Sequence, residues 1–142
     1  MGIDLGERRI GVAVSDGNGT LASPWATIER GPDPEADRLA IVAAVDEVGA
    51  RQVVVGMPLG LDGRKGRAAR AAEAETDALR ALLASRGVAV ESYDERLTTV
   101  SAARSLTEAG HRGPRQRRRI DQAAAAVLLQ AWLDAHRGDR SG

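Results

Sequence analysis

Three acidic residues are placed where carboxylates do chemistry. Asp4 stands between Ile3 and Leu5 in a short apolar stretch. A buried strand tolerates an unpaired carboxylate only at high cost in free energy. Asp4 therefore calls for a cation, a metal ion or a metal-bound phosphate, unless it is a hydrogen-bonded turn residue. Glu95 follows Asp94 at the end of the alternating run Val88 to Tyr93, a position where an ordinary surface acid is also common. Asp121 shares the spacing i, i+4, i+7, i+11 with Ala125, Leu128 and Trp132, so it should face the protein. Its plainer role would be a first-turn acid facing the helix dipole. The chain has no Cys and only two His, His111 and His136. Three converging carboxylates would thus make an oxygen-only site, the kind that suits Mg²⁺ or Mn²⁺. Such a site can activate water and stabilise the leaving oxygen of a phosphodiester.

A basic run lies beside the last of these acids. Arg112, Arg115, Arg117, Arg118 and Arg119 occur with no acid among them, and Asp121 follows two residues later. Taken alone it reads as a solvated face; beside a metal site it reads as a phosphate clamp. A glycine-rich loop, Met57 to Gly66, carries Arg64 and Lys65 at its tip. It lacks the Gly-Lys-Ser/Thr ending of a nucleotide-binding P-loop, but both cations suit a backbone phosphate. Trp25, Trp132 and Tyr93 are the only aromatic residues, so backbone contacts should outweigh base stacking.

The bulk composition fits a globular chain. Of 142 residues 43% are hydrophobic, 28% are charged and the formal net charge is zero. A core without Phe must be built from Val, Leu, Ile and Ala. The absence of Cys excludes disulfides and thiolate metal sites. No signal peptide or long apolar run is visible, so a cytoplasmic protein with no membrane partner is expected.

The elements that must position these groups follow from hydrophobic period and turn residues. Residues 2–5 and 9–15 read as a hairpin, and Leu21 to Ile28 as a third strand that Pro24 pushes to a sheet edge. Glu35 to Val48 is a helix closed by Gly49. Gln52 to Gly56 is a wholly apolar strand of the kind buried on both faces. Arg67 to Arg86 is a second helix and Val88 to Tyr93 a fifth strand. A helix is expected from Thr98 or Thr99 to Gly110, then a basic loop from His111 to Arg118, then a last helix from Arg119 to His136. Two right-handed βα crossovers after an antiparallel meander predict one α/β domain over 1–142. Its mixed five-stranded sheet should have the order 3-2-1-4-5, with helices on both faces. Asp4, the loop after Gly56 and Glu95 then meet near the carboxyl ends of the central strands.

Five motifs together resemble the YqgF (RuvX-like) family. They are Gly2-Ile-Asp-Leu-Gly6, Ile10-Gly-Val-Ala-Val14, Gly56-Met-Pro-Leu-Gly-Leu-Asp-Gly63, Asp94-Glu-Arg-Leu-Thr98 and Ile120-Asp-Gln-Ala-Ala-Ala125. The resemblance spans nearly the whole chain. It implies a ribonuclease H-like fold and Mg²⁺- or Mn²⁺-dependent phosphodiester hydrolysis in maturing the 5′ end of 16S rRNA. Asp4, Glu95 and Asp121 match the family's acids. The implied partners are structured RNA and ribosomal particles, with the protein a monomer or homodimer. Cleavage of branched DNA as a Holliday junction resolvase is the alternative within the same chemistry. A non-catalytic RNA-binding assembly factor is the alternative outside it. The Asp-Leu-Gly segment also resembles the phosphate segment of actin-like ATPases, which need two such domains. Only three residues precede Asp4, fewer than is usual in the family, which raises the expectation of a start further upstream.

Overall fold

The computed structural model describes residues 1–99 and 113–137. The helix expected to end at Gly110, and with it Arg112, lies outside the described residues.

Five strands form one sheet in the order β3-β2-β1-β4-β5, as the sequence pattern predicts. They are β1 (Gly2–Leu5), β2 (Arg9–Ser15), β3 (Ala22–Glu29), β4 (Gln52–Met57) and β5 (Ala89–Asp94). The first three are antiparallel neighbours, whereas β4 runs parallel to both β1 and β5. Pro24 sits on edge strand β3, opposite Ala13, where the β2–β3 register shifts. An edge is where a strand tolerates a residue without an N–H.

Side-chain alternation divides the core into two layers. Ile3, Ile10, Val12, Val53 and Val55 pack with Ile41 and Val45 of α1 (Pro34–Val48) and with Leu79 and Leu83 of α2 (Arg67–Leu83). On the opposite face Ala13 and Val54 pack against Ala125, Leu129 and Leu133 of α3 (Pro114–Ala135). Both faces of β4 are thereby covered, which is why its sequence is apolar without alternation.

The helix ends follow local chemistry. Asp33 accepts the Glu35 N–H at 3.0 Å, Pro34 opens the first turn of α1, and Gly49 closes the helix at φ 67°. These are the residue types that each position favours.

The last helix corrects the sequence reading. Helical structure begins at Pro114, not at Arg119, so Arg115, Arg117 and Arg118 lie on its first turns and not in a loop. Proline fits the first helical position because its missing N–H would have had no partner there. The Gly113 N–H donates to the Gln116 side-chain oxygen at 3.0 Å, which satisfies the entry to the helix. Among the described residues no helix is long and apolar enough to cross a membrane.

Candidate active site

Asp4 is 3% exposed, although it lies in the middle of the sheet. Its register partner on β2 is Gly11, and directly opposed residues of an antiparallel pair project to the same face. That face is the one covered by α3. A Cβ built on Gly11 would stand 2.0 Å from the carbonyl oxygen of Asp121, and one on Gly2 would stand 2.9 Å from that of Ala125. Two strand glycines thus let the backbone of α3 lie directly on the sheet. Successive helix positions four apart, Asp121, Ala125 and Leu129, run over Gly11 and then Gly2. Asp121, two turns into the helix, is thereby seated on the strand partner of Asp4.

Glu95 approaches from the other side. The last paired residues of β1 and β4 are Ile3 and Val55; Asp4 and Gly56 come next along each chain. A Cβ on Gly56 would meet the Glu95 Oε1 at 2.5 Å, so the carboxylate occupies the space left by the missing side chain. Asp94 ends β5, and Glu95 opens a short 3₁₀ turn, Glu95–Leu97. The Asp94 side chain caps this turn by accepting the Arg96 N–H at 2.9 Å. The fork of Arg96, 2.7 Å from Asp94 Oδ2, holds the Asp94 carboxyl below its ordinary value. Glu95 is displaced in the opposite direction. Burial raises its pKa, and the negative charge of Asp94 adds to the effect.

Asp121, 8% exposed, accepts a hydrogen bond from Arg9 Nε at 2.6 Å. This ion pair joins the start of β2 to α3 across 112 positions of sequence. Among the described residues no three His, Cys, Asp or Glu side chains close around one ion position. The three acids therefore share a face and a region of the sheet, with Arg9 holding one of them.

The expected phosphate-binding residues divide into two groups. Arg117 and Arg118 line a cleft beside the β1–β2 turn, and Arg118 pairs with Glu29 at 2.8 Å. Arg115 and Arg119 are exposed on the same helix start. At the glycine loop Arg64 pairs with Asp62 at 3.5 Å and Lys65 with Glu73. Arg96 underlies that loop, 3.4 Å from where a Cβ of Gly63 would be.

Sequence reasoning missed Arg9, because nothing in its local pattern reveals a partner so distant. The contact role of Gly2 and Gly11 was more accessible. Gly11 interrupts an otherwise strong strand segment and Gly2 opens another, a signal of close backbone approach.

A family model described as "RuvX: Holliday junction resolvase" matches residues 1–135. The chain belongs to the RuvX family. Among its relatives is a protein of Myxococcus xanthus, 47% identical over 137 residues that cover 96% of this chain and 88% of the relative. Another, from Chloroflexus aggregans, is 44% identical over 137 residues and covers 96% and 94%. Both carry the name "Putative pre-16S rRNA nuclease". The RuvX chain also shares its fold with a T. thermophilus RuvC solved in complex with Holliday junction substrate. That match has a TM-score of 0.61 and 18% identity, and covers 96% of this chain and 94% of the other. The likeness identifies the fold as ribonuclease H-like.

Proposed function

We propose that this chain is a divalent-metal-dependent nuclease that hydrolyses a phosphodiester bond in maturing the 5′ end of 16S rRNA. The proposal takes residues 1–142 as one catalytic domain. The observation that carries it is the placement of two further acids over the strand positions next to Asp4. Asp121 is seated on Gly11, the partner of Asp4, and the Glu95 carboxylate fills the space over Gly56. The names of two relatives support the substrate class, a precursor of 16S rRNA; structured RNA met on ribosomal particles in the cytoplasm is the partner and place that this reading proposes.

The donor set fits a hard divalent ion, because Asp4, Glu95 and Asp121 offer only carboxylate oxygens. Burial of Glu95 beside Asp94 disfavours its ionised form, and a cation held there would reverse that penalty. Asp4, Glu95 and Asp121 would hold Mg²⁺ or Mn²⁺, which would supply a Lewis acid for activating water and stabilising a leaving oxygen. Asp4 fixes the site to the rigid centre of the sheet. Glu95 closes it from β5, and Arg9 orients Asp121 on α3. Arg115, Arg117, Arg118 and Arg119 hold the substrate backbone, and Arg64 and Lys65 on the glycine loop offer separate phosphate contacts; Arg112, outside the described residues, is assigned the same role on its charge alone.

A second reading, resolution of four-way DNA junctions, is favoured by the family model's description and uses the same residues. The discriminating experiment presents a 5′-extended 16S rRNA precursor and a synthetic four-way junction side by side. Wild type and Asp4→Asn are each assayed with Mg²⁺, with Mn²⁺ and with chelator. Metal-dependent cutting of the RNA alone, lost in the variant, is expected. Cutting of the junction alone would move the protein to recombination. Binding without cutting would make it a non-catalytic assembly factor.

A further inference from the structure

We infer that Arg96 is a positioning residue for Glu95. It clamps the turn that carries Glu95 to the glycine loop, so that turn and loop form one unit. The ion that Glu95 would hold is taken from the proposed nuclease reading; the clamp itself does not depend on it.

The glycine loop touches the Glu95 turn at two places. It leaves β4 at Met57, the register partner of Asp94 at the end of β5. Just before that, Gly56 lies against the Glu95 carboxylate. Further on, the loop passes over Arg96. A Cβ built on Gly63 would stand 3.4, 3.8 and 3.9 Å from Nη1, Nη2 and Cζ of that side chain. Gly63 has φ 82°, a backbone conformation that favours glycine. The loop is also closed on itself. The Gly63 N–H donates to the Gly60 carbonyl at 2.9 Å, and the Gly60 N–H to the Arg64 carbonyl at 3.0 Å.

Asp94 fixes Arg96 from the other side. Arg96 Nε donates to Oδ1 and Oδ2 of Asp94 at 3.1 and 3.0 Å, and Nη2 donates to Oδ2 at 2.7 Å. The same carboxylate accepts the Arg96 backbone N–H at 2.9 Å. Asp94 therefore holds Arg96 by main chain and side chain together, with Glu95 between them. Thr98 closes the turn, its N–H and hydroxyl donating to the Glu95 carbonyl at 3.0 and 2.8 Å. Asp62, on the loop, adds its negative charge to the field at Arg96. A forked arginine–carboxylate pair is directional as well as attractive, and lysine does not reproduce it.

Glu95 needs such a support. Among the described residues no hydrogen bond fixes its carboxylate, so its place depends on the turn that carries it. Asp4 is set by a central strand and Asp121 by the seat of α3 on Gly11. Glu95 alone stands beyond the end of an edge strand. A shared ion tolerates little looseness in any one of its ligands. The Arg96 side chain is 36% exposed, and its partners are the loop and the turn, so it acts on their relative position and not on the core.

The test compares wild type with Arg96→Gln and Arg96→Lys. Arg96 is exposed, so both variants should melt close to wild type. Amide hydrogen exchange in chelator is read first. Loss of the clamp should speed exchange severalfold at Gly60 and Gly63 of the loop and at Thr98 of the turn, in both variants. Calorimetric titration with Mn²⁺, without RNA, is read second. Both variants should bind the ion about tenfold more weakly. Charge alone predicts the opposite for Arg96→Gln, because removing a cation favours a divalent ion nearby. Lysine keeps the charge, so wild-type exchange and affinity in Arg96→Lys would make Arg96 a counter-charge and overturn the inference. Unchanged loop exchange in Arg96→Gln would overturn it too, as would Mn²⁺ binding equal to or tighter than that of wild type. A wild type that binds no Mn²⁺ would sink the metal site, and the exchange rates would then judge the clamp by themselves.

Discussion

The carbonyl oxygen of Asp121 lies on Gly11 so closely that no side chain can be placed between them; a Cβ there would stand 2.0 Å away. The obstructing atoms belong to the helix backbone, which cannot rotate aside. Gly11→Ala must therefore push α3 off the sheet or distort β2. Overpacking of this kind costs about 1–3 kcal/mol, with the upper end expected here. Denaturant unfolding should show that loss. Any folded fraction should cleave poorly, because Asp121 moves with the helix. A variant of wild-type stability would mean that α3 does not rest on Gly11.

Gly56→Ala separates position from stability. Its added Cβ would also stand too close, 2.5 Å from Glu95 Oε1, but the obstacle is the end of a flexible side chain. The carboxylate swings away while the strand stays in place. We expect a stability change within about 1 kcal/mol together with a loss of cleavage of at least tenfold. The measurements are a melting curve and a single-turnover rate on the same preparation. Full activity in a well-folded Gly56→Ala would remove Glu95 from the reaction.

These two glycines mark the boundary of what the sequence discloses. Strand order is legible because a meander followed by two crossovers allows few topologies, and β4 declares its double burial by being apolar throughout. The acids are legible as anomalies, Asp4 in a strand and Asp121 on an apolar stripe. The start of α3 at Pro114 is obscured because a run of arginines resembles a loop until proline and Gln116 are read as helix-opening residues. The Arg9–Asp121 pair is illegible for a different reason. It is created by packing α3 across β2, and neither residue carries a local sign of the other.

That pair makes its own prediction. Arg9 Nε is 2.6 Å from Asp121 Oδ2 in a site that is mostly shielded from water. Arg9→Gln leaves the carboxylate without its charged partner, which should cost about 1–3 kcal/mol in the metal-free protein. The same change removes a positive charge that opposes a divalent cation. Calorimetric titration with Mn²⁺ should therefore show severalfold tighter binding in the variant. Weaker binding would mean that the hold of Arg9 on Asp121 matters more to the ion than the positive charge it places there.

Glu95 carries the pH dependence. Burial, aided by Asp94, raises its pKa above the ordinary glutamate value of 4.5. A carboxyl whose folded pKa exceeds its unfolded pKa contributes stability that is fully present below the unfolded value. That contribution is lost as pH rises through the folded value. At neutral pH, in chelator, wild type therefore bears the cost of an ionised, half-buried Glu95. Glu95→Gln removes that cost and should melt at a higher temperature than wild type. Its advantage should shrink as pH falls through the folded value and vanish near the ordinary carboxylate range. Saturating Mn²⁺ should reverse the order at neutral pH, since only the ionised carboxylate binds the ion well. A gap that stays constant across pH would mean that Glu95 titrates as an unburied glutamate. A gap unmoved by Mn²⁺ would mean that it holds no ion.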